Sequence, residues 1–255
     1  MNLFVLILGA FVALSSGCAR MPTQEHPLTL DLPEPEIVVV QHSREAEERR
    51  ENPLYLPARR IMEDEFGTPA FQELLKGMKN VMHATGGIGI AANQVGKRLQ
   101  VFIIEAAPTN PRYNGLAPVP YQVFVNPRIV AASPERRNFW HGCLSAVGEM
   151  RGNVATYEWI EVEAAGADGT RGIGRLSGLA AVIFQHELRH LLGGTYLDKA
   201  RTFLGKEELD AKLDRKELPF FEKVGPELPL LLDDYRIGET LEDFYQRTHA
   251  VRVAD

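Results

Sequence analysis

Two histidines with a glutamate between them form the clearest chemical signal in the sequence. They lie in the run His186-Glu187-Leu188-Arg189-His190. On a helix, a spacing of four residues places both imidazoles on one face, within reach of a single cation. Glu187 would project beside that cation, where its carboxyl can take a proton from a water and deliver it to a leaving amine. The pattern therefore predicts a hydrolytic metal site.

A catalytic metal site of this type needs a third protein ligand, and the sequence offers two kinds of candidate. Cys143, in the run WHGCLS, would supply a thiolate from upstream of the helix and leave a fourth position free for water. Glu207 or Glu208 would instead complete a zincin-type metallopeptidase site, although both lie in a very polar segment. The metzincin pattern would need a histidine at position 196, which is Tyr196 here.

A glycine-rich segment, GIGIAANQ at residues 87–94, is the third candidate for chemistry. Glycines let a backbone run close to a substrate. The amide of Gln94 could donate a hydrogen bond to a developing oxyanion. The alternative interpretation is a tight turn that ends in a surface glutamine.

The elements that must position these residues are typical of an α+β domain. Thr68 and Pro69 predict the start of an amphipathic helix that runs to about Thr85. Ser177 predicts the cap of a second helix, 178–192, which carries the histidines and ends at two glycines. Between the helices, short β-like runs are separated by the turn-forming residues Pro, Asn and Gly. These runs are residues 100–105, 122–126 and 158–164.

The N-terminus resembles a bacterial lipoprotein signal peptide. Residues 3–14 are almost continuously apolar, which is too short for a membrane-spanning helix and typical of a signal peptide. Small residues precede Cys18, so we expect a signal at residues 1–17 and a lipid on Cys18 that anchors the protein to the membrane of the bacterial cell envelope. The alternative is a start-site error in front of a cytoplasmic protein.

The rest of the chain divides into a tether, a catalytic domain and a tail. Residues 18–51 are rich in proline and charge and predict a tether, or alternatively an N-terminal arm packed on the domain. The catalytic domain is predicted at residues 52–205. Residues 206–255 form a C-terminal extension with one short helix near 206–216 and no recognisable chemistry. The net charge of -6 argues against a nucleic-acid partner.

Taken together, the three motifs resemble those of the peptide deformylase family. That family carries GxGxAAxQ, EGCxS and QHExDH in this order, and the chain has GIGIAANQ, HGCLS and QHELRH. The similarity extends from residues 52–53, through 124–127, to 196–198. It implies a peptide-deformylase-like α+β fold in which short antiparallel strands surround a central metal-binding HExxH helix.

The resemblance also implies the metal and its ligands. Cys143, His186 and His190 would hold one divalent ion, which is Fe²⁺ in the family and is often replaced by Zn²⁺, Ni²⁺ or Co²⁺. Glu187 would be the general base and acid. The reaction would be the metal-dependent hydrolysis of N-formyl-methionyl peptides, with release of formate.

Five further residues take their expected roles from the resemblance. The Gln94 side chain and the Leu144 backbone N–H would stabilise the tetrahedral oxyanion. The backbone at Ile88 and Gly89 would align the peptide. Val182 would line the pocket for the methionine side chain.

Three positions depart from the family pattern. They are His141 in place of a glutamate, Arg189 in place of an acidic residue, and Thr156 in place of an arginine. In the family these positions form ion pairs around the site or contact the substrate backbone. The departures leave two alternatives open: an anchored protein that acts on another N-acyl amide, and one that only binds peptides.

Overall fold

The computed structural model describes residues 39–113, 115–148 and 150–252. The predicted signal peptide and Cys18 lie outside these residues. The described chain contains five α-helices and nine β-strands. The helices are α1 (Ala46–Arg49), α2 (Pro69–Ala84), α3 (Gly178–Leu191), α4 (Lys206–Asp214) and α5 (Leu241–Arg252). The strands are β1 (Gly89–Ala91), β2 (Val101–Ala106), β3 (Val119–Ala132), β4 (Arg136–His141), β5 (Arg151–Tyr157), β6 (Trp159–Ala165), β7 (Arg171–Ser177), β8 (Thr202–Leu204) and β9 (Lys223–Val224).

The strands form two antiparallel sheets that share one central helix. The larger sheet has the order β1-β2-β3-β6-β7, and the smaller has the order β8-β5-β4-β9. Helix α3 contacts strands of both sheets. The predicted α+β class, with antiparallel strands around the histidine-bearing helix, is confirmed.

Helix α3 is almost entirely buried, which explains its apolar sequence. Phe184, Leu188 and Leu191 have no exposed surface. The helix ends where Gly193 adopts a positive φ of 78°, as glycine after a helix commonly does. Ser177 occupies the N-cap position, but its side chain makes no capping hydrogen bond, so that part of the prediction was wrong. Ser177 is also the last residue of β7, where pairing with β6 holds its backbone.

Helix α2 begins and ends close to the predicted residues. The Thr68 hydroxyl accepts a hydrogen bond from the Phe71 backbone N–H at 3.3 Å, and Pro69 occupies the first turn. Both features are favourable helix starts. The apolar face of the helix packs on the larger sheet through four buried residues: Phe71, Leu75, Met78 and Met82.

The three strand predictions are confirmed as parts of β2, β3 and β6, and the other six strands were missed. Strand β3 is longer than predicted and continues through Pro127, where its register with β6 shifts. Asn126 adopts a left-handed conformation at this bulge, with φ 51°. Its side chain donates to the Ile61 carbonyl and accepts from the Ile61 N–H, both at 2.9 Å. The bulge thus accommodates a proline, which normally ends a strand.

Residues 39–51, for which a tether and a packed arm were both open, lie against the domain. The Val40 N–H donates to the Gln94 carbonyl at 2.7 Å, and the His42 N–H donates to the Ser145 carbonyl at 2.7 Å. Gln41 donates to the Leu144 carbonyl at 3.1 Å. This segment is therefore a packed arm that contacts the loops carrying the predicted oxyanion donors.

The C-terminal extension is part of the same compact unit as the rest of the described chain. The Leu231 N–H donates to the Ala155 carbonyl of β5 at 2.8 Å. Leu231, Tyr235 and Phe244 are buried in the main core. The predicted helix near 206–216 is confirmed as α4, whereas α5 was missed. None of the helices in the described ranges is long and apolar enough to cross a membrane.

Arg189 on α3 is held by the C-terminal extension. Its Nη1 atom lies 3.0 and 2.8 Å from the two carboxylate oxygens of Asp234. Asp198 adds a longer contact of 3.7 Å. The Arg189 side chain is only 8% exposed, so these carboxylates must compensate the cost of burying its positive charge. The arginine that replaces the family's acidic residue thus has its own acidic partners.

We expect Asp234→Asn to lower the free energy of unfolding by about 2 kcal/mol, because it leaves a buried guanidinium poorly paired. Denaturant titration would measure the loss. The matched control is Asp233→Asn, which removes a half-exposed ion pair with Lys199 and should cost less than about 1 kcal/mol. Equal effects of the two changes would contradict the account.

The same ion pair predicts a dependence on pH. Partial burial raises the pKa of Asp234, but the neighbouring Arg189 and Lys199 outweigh it and the pKa lies below its usual range. The stabilisation is therefore complete above the unfolded aspartate pKa of about 4 and is lost as the pH falls through the folded value.

Candidate metal centre and active site

Three potential metal ligands converge between the end of β4 and helix α3. Cys143 follows the end of β4, and His186 and His190 project from consecutive turns of α3. Their ligand atoms all lie within 4.8 Å of one another. The Cys143 Sγ is 3.1 Å from the His190 Nε2. The structure thus brings together the three residues that the resemblance implied.

The acidic alternatives for the third ligand do not join this group. Glu207 and Glu208 are exposed on α4. Within the described part of the chain, the Cys143 cluster is the only group of three His, Cys, Asp or Glu residues with this geometry. The geometry therefore favours the thiolate over a zincin-type carboxylate.

Burial controls the charges of the three candidate ligands. It raises the pKa of the Cys143 thiol to about 12, with a smaller contribution from nearby Glu187. It lowers the pKa of His186 to about 4, aided by the charge of Arg151, and it also lowers the pKa of His190. Both histidines are thus neutral near pH 7, the form in which imidazole binds metal.

The surroundings of the cluster fit a divalent cation. The Glu187 Oε2 and His190 Nδ1 atoms are buried and make no hydrogen bond with the described residues. A buried thiolate would need compensating positive charge, which a cation supplies. One sulfur and two nitrogen ligands also leave a coordination position open, as in catalytic metal sites.

Glu187 lies beside the cluster, against the backbone of β1. A Cβ atom at Gly89 would lie 2.4 Å from the Glu187 Oε1 and 2.7 Å from the Ile183 Cγ2. Only glycine therefore leaves room for the carboxyl at this position. Burial raises the pKa of Glu187 well above its usual range, as suits a group that exchanges protons near neutral pH.

Gln94 points its amide towards the cysteine. Its Oε1 accepts a hydrogen bond from the Ala91 N–H at 2.8 Å, which turns the NH₂ group towards Cys143. The Nε2 atom is 3.1 Å from the Ser145 Oγ and 3.6 Å from the Cys143 Sγ. The Leu144 backbone N–H has no acceptor among the described residues. Two potential oxyanion donors therefore flank the cluster.

The cluster opens into a cavity of about 1150 Å³. Ile88, Gly89 and Val182 line it near the metal ligands, so the predicted substrate-binding residues share one space with the predicted catalytic ones. Strand β1 is an edge strand of the larger sheet, and β2 is its only partner among the described strands.

His141 takes a position that the sequence could not assign. It is 1% exposed, and its Nδ1 lies 3.1 Å from the Nδ1 of His186. A metal on the His186 Nε2 would leave that ring's proton on Nδ1, from which it can be donated to His141. Thr156 is fully buried and its hydroxyl has no partner among the described residues. The structure gives no role for Thr156 beyond packing.

We expect His141→Ala to weaken metal binding by about 10–100-fold, the usual cost of losing a partner that orients a metal ligand. In His141→Asn, the amide oxygen can occupy the place of the Nδ1 acceptor and should restore most of the affinity. Competition with a chelator whose metal affinity is known would measure both. Unchanged affinity in His141→Ala would contradict this role.

Comparison with known proteins agrees with this arrangement. The profile of the family described as polypeptide deformylase matches residues 36–204. Peptide deformylase 1 of Nitrosomonas europaea is 40% identical over 146 residues, which are 56% of this chain and 79% of that protein. The chain belongs to the peptide deformylase family.

Solved structures of deformylases have the same fold. The class I type b peptide deformylase from Acinetobacter baumannii, bound to Met-Ala-Ser, is 30% identical and matches with a TM-score of 0.58 over 64% of this chain and 97% of its own. A plant peptide deformylase, 28% identical, matches with a TM-score of 0.54 over 72% of this chain and 89% of its own. The chain is thus a metal-dependent hydrolase of the deformylase type.

Several residues around the deformylase site were not singled out from the sequence. Arg112, Arg151 and Lys216 line the cavity together with Phe220. None of them lies in a recognisable motif. Only the fold brings the C-terminal extension to the cavity, so no sequence signal marked it.

Proposed function

We propose that this chain removes the formyl group from N-formyl-methionyl peptides. The observation that carries the proposal is the convergence of Cys143, His186 and His190 beside Glu187 and Gln94 in a member of the deformylase family. The products would be formate and a peptide with a free amino group.

In this proposal Cys143, His186 and His190 hold the metal. The metal would polarise the formyl carbonyl and make the attacking water more acidic. Glu187 would accept a proton from that water on its buried carboxyl and pass it to the leaving amine. Its raised pKa and its place against Gly89 support this assignment.

Gln94 and Leu144 would stabilise the negative charge that develops on the formyl oxygen. The hydrogen bond from the Ala91 N–H fixes the orientation of the Gln94 amide before the substrate arrives. Preorganised donors of this kind are typically worth about 3–4 kcal/mol each in the transition state. The arm at residues 39–42 supports both positions by binding the carbonyls of Gln94 and Leu144.

The peptide would align along the edge strand β1. An edge strand offers unpaired backbone groups to an extended peptide, and here the Ile88 N–H and the backbone of Gly89 would supply them. The Ile88 carbonyl already accepts a hydrogen bond from the Glu105 N–H at 2.9 Å. Val182, which is 4% exposed and lines the cavity with Ile183, would contact the methionine side chain.

The proposed metal is Fe²⁺, with Zn²⁺, Ni²⁺ or Co²⁺ as possible replacements. One sulfur and two imidazole ligands suit all four ions. Metal analysis of protein purified anaerobically from its native host would identify the resident ion.

The test is formate release from formyl-Met-Ala-Ser by anaerobically purified, Fe²⁺-loaded protein that lacks residues 1–18. Formate and free amine should appear in equal amounts. Acetyl-Met-Ala-Ser is the control for the acyl group and should react much more slowly. A protein with one metal per chain that releases no formate would refute the proposal.

We also propose that Cys18 carries a lipid and anchors the protein in the bacterial cell envelope. The support is the apolar run at 3–14 followed by small residues and a cysteine. The substrates would then be formyl peptides outside the inner membrane. Mass spectrometry of the full-length protein should find a lipid on Cys18 that Cys18→Ala lacks. A soluble cytoplasmic protein without lipid would overturn this location.

A further inference from the structure

The far wall of the active-site cavity is built by a segment that the family profile does not match. The profile ends at residue 204, whereas α4 and the residues after it line the cavity as far as Phe220. This wall includes Lys206, Asp210, Leu213, Asp214, Lys216 and Phe220. Cys143 and His186, two of the candidate metal ligands, line the same cavity.

Around this wall, the residues that line the cavity carry more positive than negative charges. Four cationic side chains line it against two carboxylates: Arg112, Arg151, Lys206 and Lys216, with Asp210 and Asp214. Arg112 and Lys206 share one of these carboxylates, that of Asp210, at 3.4 and 3.5 Å. Among the described residues, Arg151 and Lys216 have no carboxylate within ion-pair distance. This end therefore attracts anionic groups.

Arg151 links the charged wall to the metal centre. Its guanidinium lies over Gly142, the residue before Cys143, where any side chain would overlap it. Its Nε atom is buried and has no hydrogen-bond partner in the described ranges. Burial, aided by the charge of Arg112, lowers the pKa of Arg151. A partly buried guanidinium without an anion is unfavourable, and an incoming carboxylate would relieve this cost.

We propose that this end of the cavity is a carboxylate-binding subsite, in which Arg151 and Lys216 hold the free C-terminal carboxylate of a short formyl peptide. The inference rests on the proposed function and names its substrate class. A volume of about 1150 Å³ exceeds the roughly 300–1000 Å³ of typical small-ligand pockets, so a formylated tripeptide fits. The peptide would run from the metal towards the wall at 206–220, which would limit its length.

The experiment compares formyl-Met-Ala-Ser as the free acid with its C-terminal amide. We expect kcat/KM to favour the acid by at least about tenfold, mainly through KM, since charge-assisted hydrogen bonds to arginine are strong. The preference should fall as salt is raised. A second pair, formyl-Met-Ala-Asp amide and formyl-Met-Ala-Asn amide, tests whether a side-chain carboxylate can take the same place.

Two variants and one control test whether the preference for the free acid comes from Arg151 and Lys216. Arg151→Gln and Lys216→Asn should each reduce the preference for the acid towards one. Asparagine is chosen because Lys216 has a positive φ of 58°, which asparagine tolerates. Lys212→Gln is the matched control, since Lys212 is on α4, close to Lys216 in the sequence, but outside the cavity lining, and it should leave the preference unchanged.

The outcomes separate this inference from the proposed function. Equal turnover of acid and amide, and of the Asp and Asn amides, by the wild-type protein would overturn the subsite and leave deformylation intact. A preference for the Asp amide over the Asn amide without one for the free acid would assign the carboxylate to a side chain and overturn the chain-end assignment. Calorimetry with Met-Ala-Ser and its amide gives the same comparison without turnover, so an inactive protein would still test the subsite.

Discussion

Glu187→Gln should lower kcat for formate release by about 10³-fold, within the range found for a lost general acid–base group. The amide keeps the size of the side chain and its place against Gly89, but it can no longer accept a proton from water. The loss should appear in kcat more than in KM, because Glu187 acts on the reacting atoms. Steady-state kinetics with formyl-Met-Ala-Ser would measure both constants.

The control for this variant is its metal content. Glu187 is not one of the three clustered ligands, so Glu187→Gln should bind one metal per chain and unfold at nearly the wild-type temperature. A metal-loaded variant that keeps more than a tenth of the wild-type kcat would contradict the role of Glu187 as proton carrier.

Cys143→Ser should weaken metal binding by more than about 100-fold, which is the upper range for losing a residue that merely orients a ligand. A serine hydroxyl is a harder and far less acidic donor than a thiol and does not replace a thiolate at a transition metal. Activity should fall in proportion to the bound metal. Equilibrium dialysis followed by elemental analysis would measure the affinity.

The matched control for the cysteine is the double change Glu207→Gln and Glu208→Gln. These carboxylates were the alternative third ligands, and both are exposed on α4. The double variant should retain wild-type metal affinity. If Cys143→Ser kept its metal and the double variant lost it, the zincin-type assignment would be correct instead.

Local patterns predicted the parts of the site that lie on one element. His186 and His190 are separated by one helical turn, so their convergence follows from the helix alone. Cys143 is different, because no short-range rule places a residue 43 positions upstream beside them. Its place beside the histidines was predicted only from the resemblance of three motifs. The structure gives the physical reason: β4 ends next to the face of α3 that carries the histidines.

The partners of the three departures could not be predicted, since they depend on long-range packing. From the sequence, Arg189 only replaced an acidic residue of the family pattern. In the structure it has a carboxylate partner, Asp234, which comes from the C-terminal extension. That extension had been given no chemistry, yet it supplies this partner, part of the core and the far wall of the cavity. His141 was similarly ambiguous until the register of β4 placed it against His186.

Three of the six missed strands, β7, β8 and β9, lack a sequence pattern that could mark them. Strand β7 has the sequence RGIGRLS and is mostly exposed, so it lacks the alternation of apolar and polar residues that marks a strand. It exists because it pairs with β6 along its full length. Strands β8 and β9 have only three and two residues, too few for any periodicity.

The most direct test of the central claim is a metal titration of activity. Protein stripped with a chelator would be given Fe²⁺ in steps under anaerobic conditions, and bound metal and the rate of formate release from formyl-Met-Ala-Ser would be measured in the same samples. A single metal centre at Cys143, His186 and His190 predicts that the rate rises linearly to one metal per chain and then stays constant. Formate release by the metal-free protein, or none at one metal per chain, would contradict it.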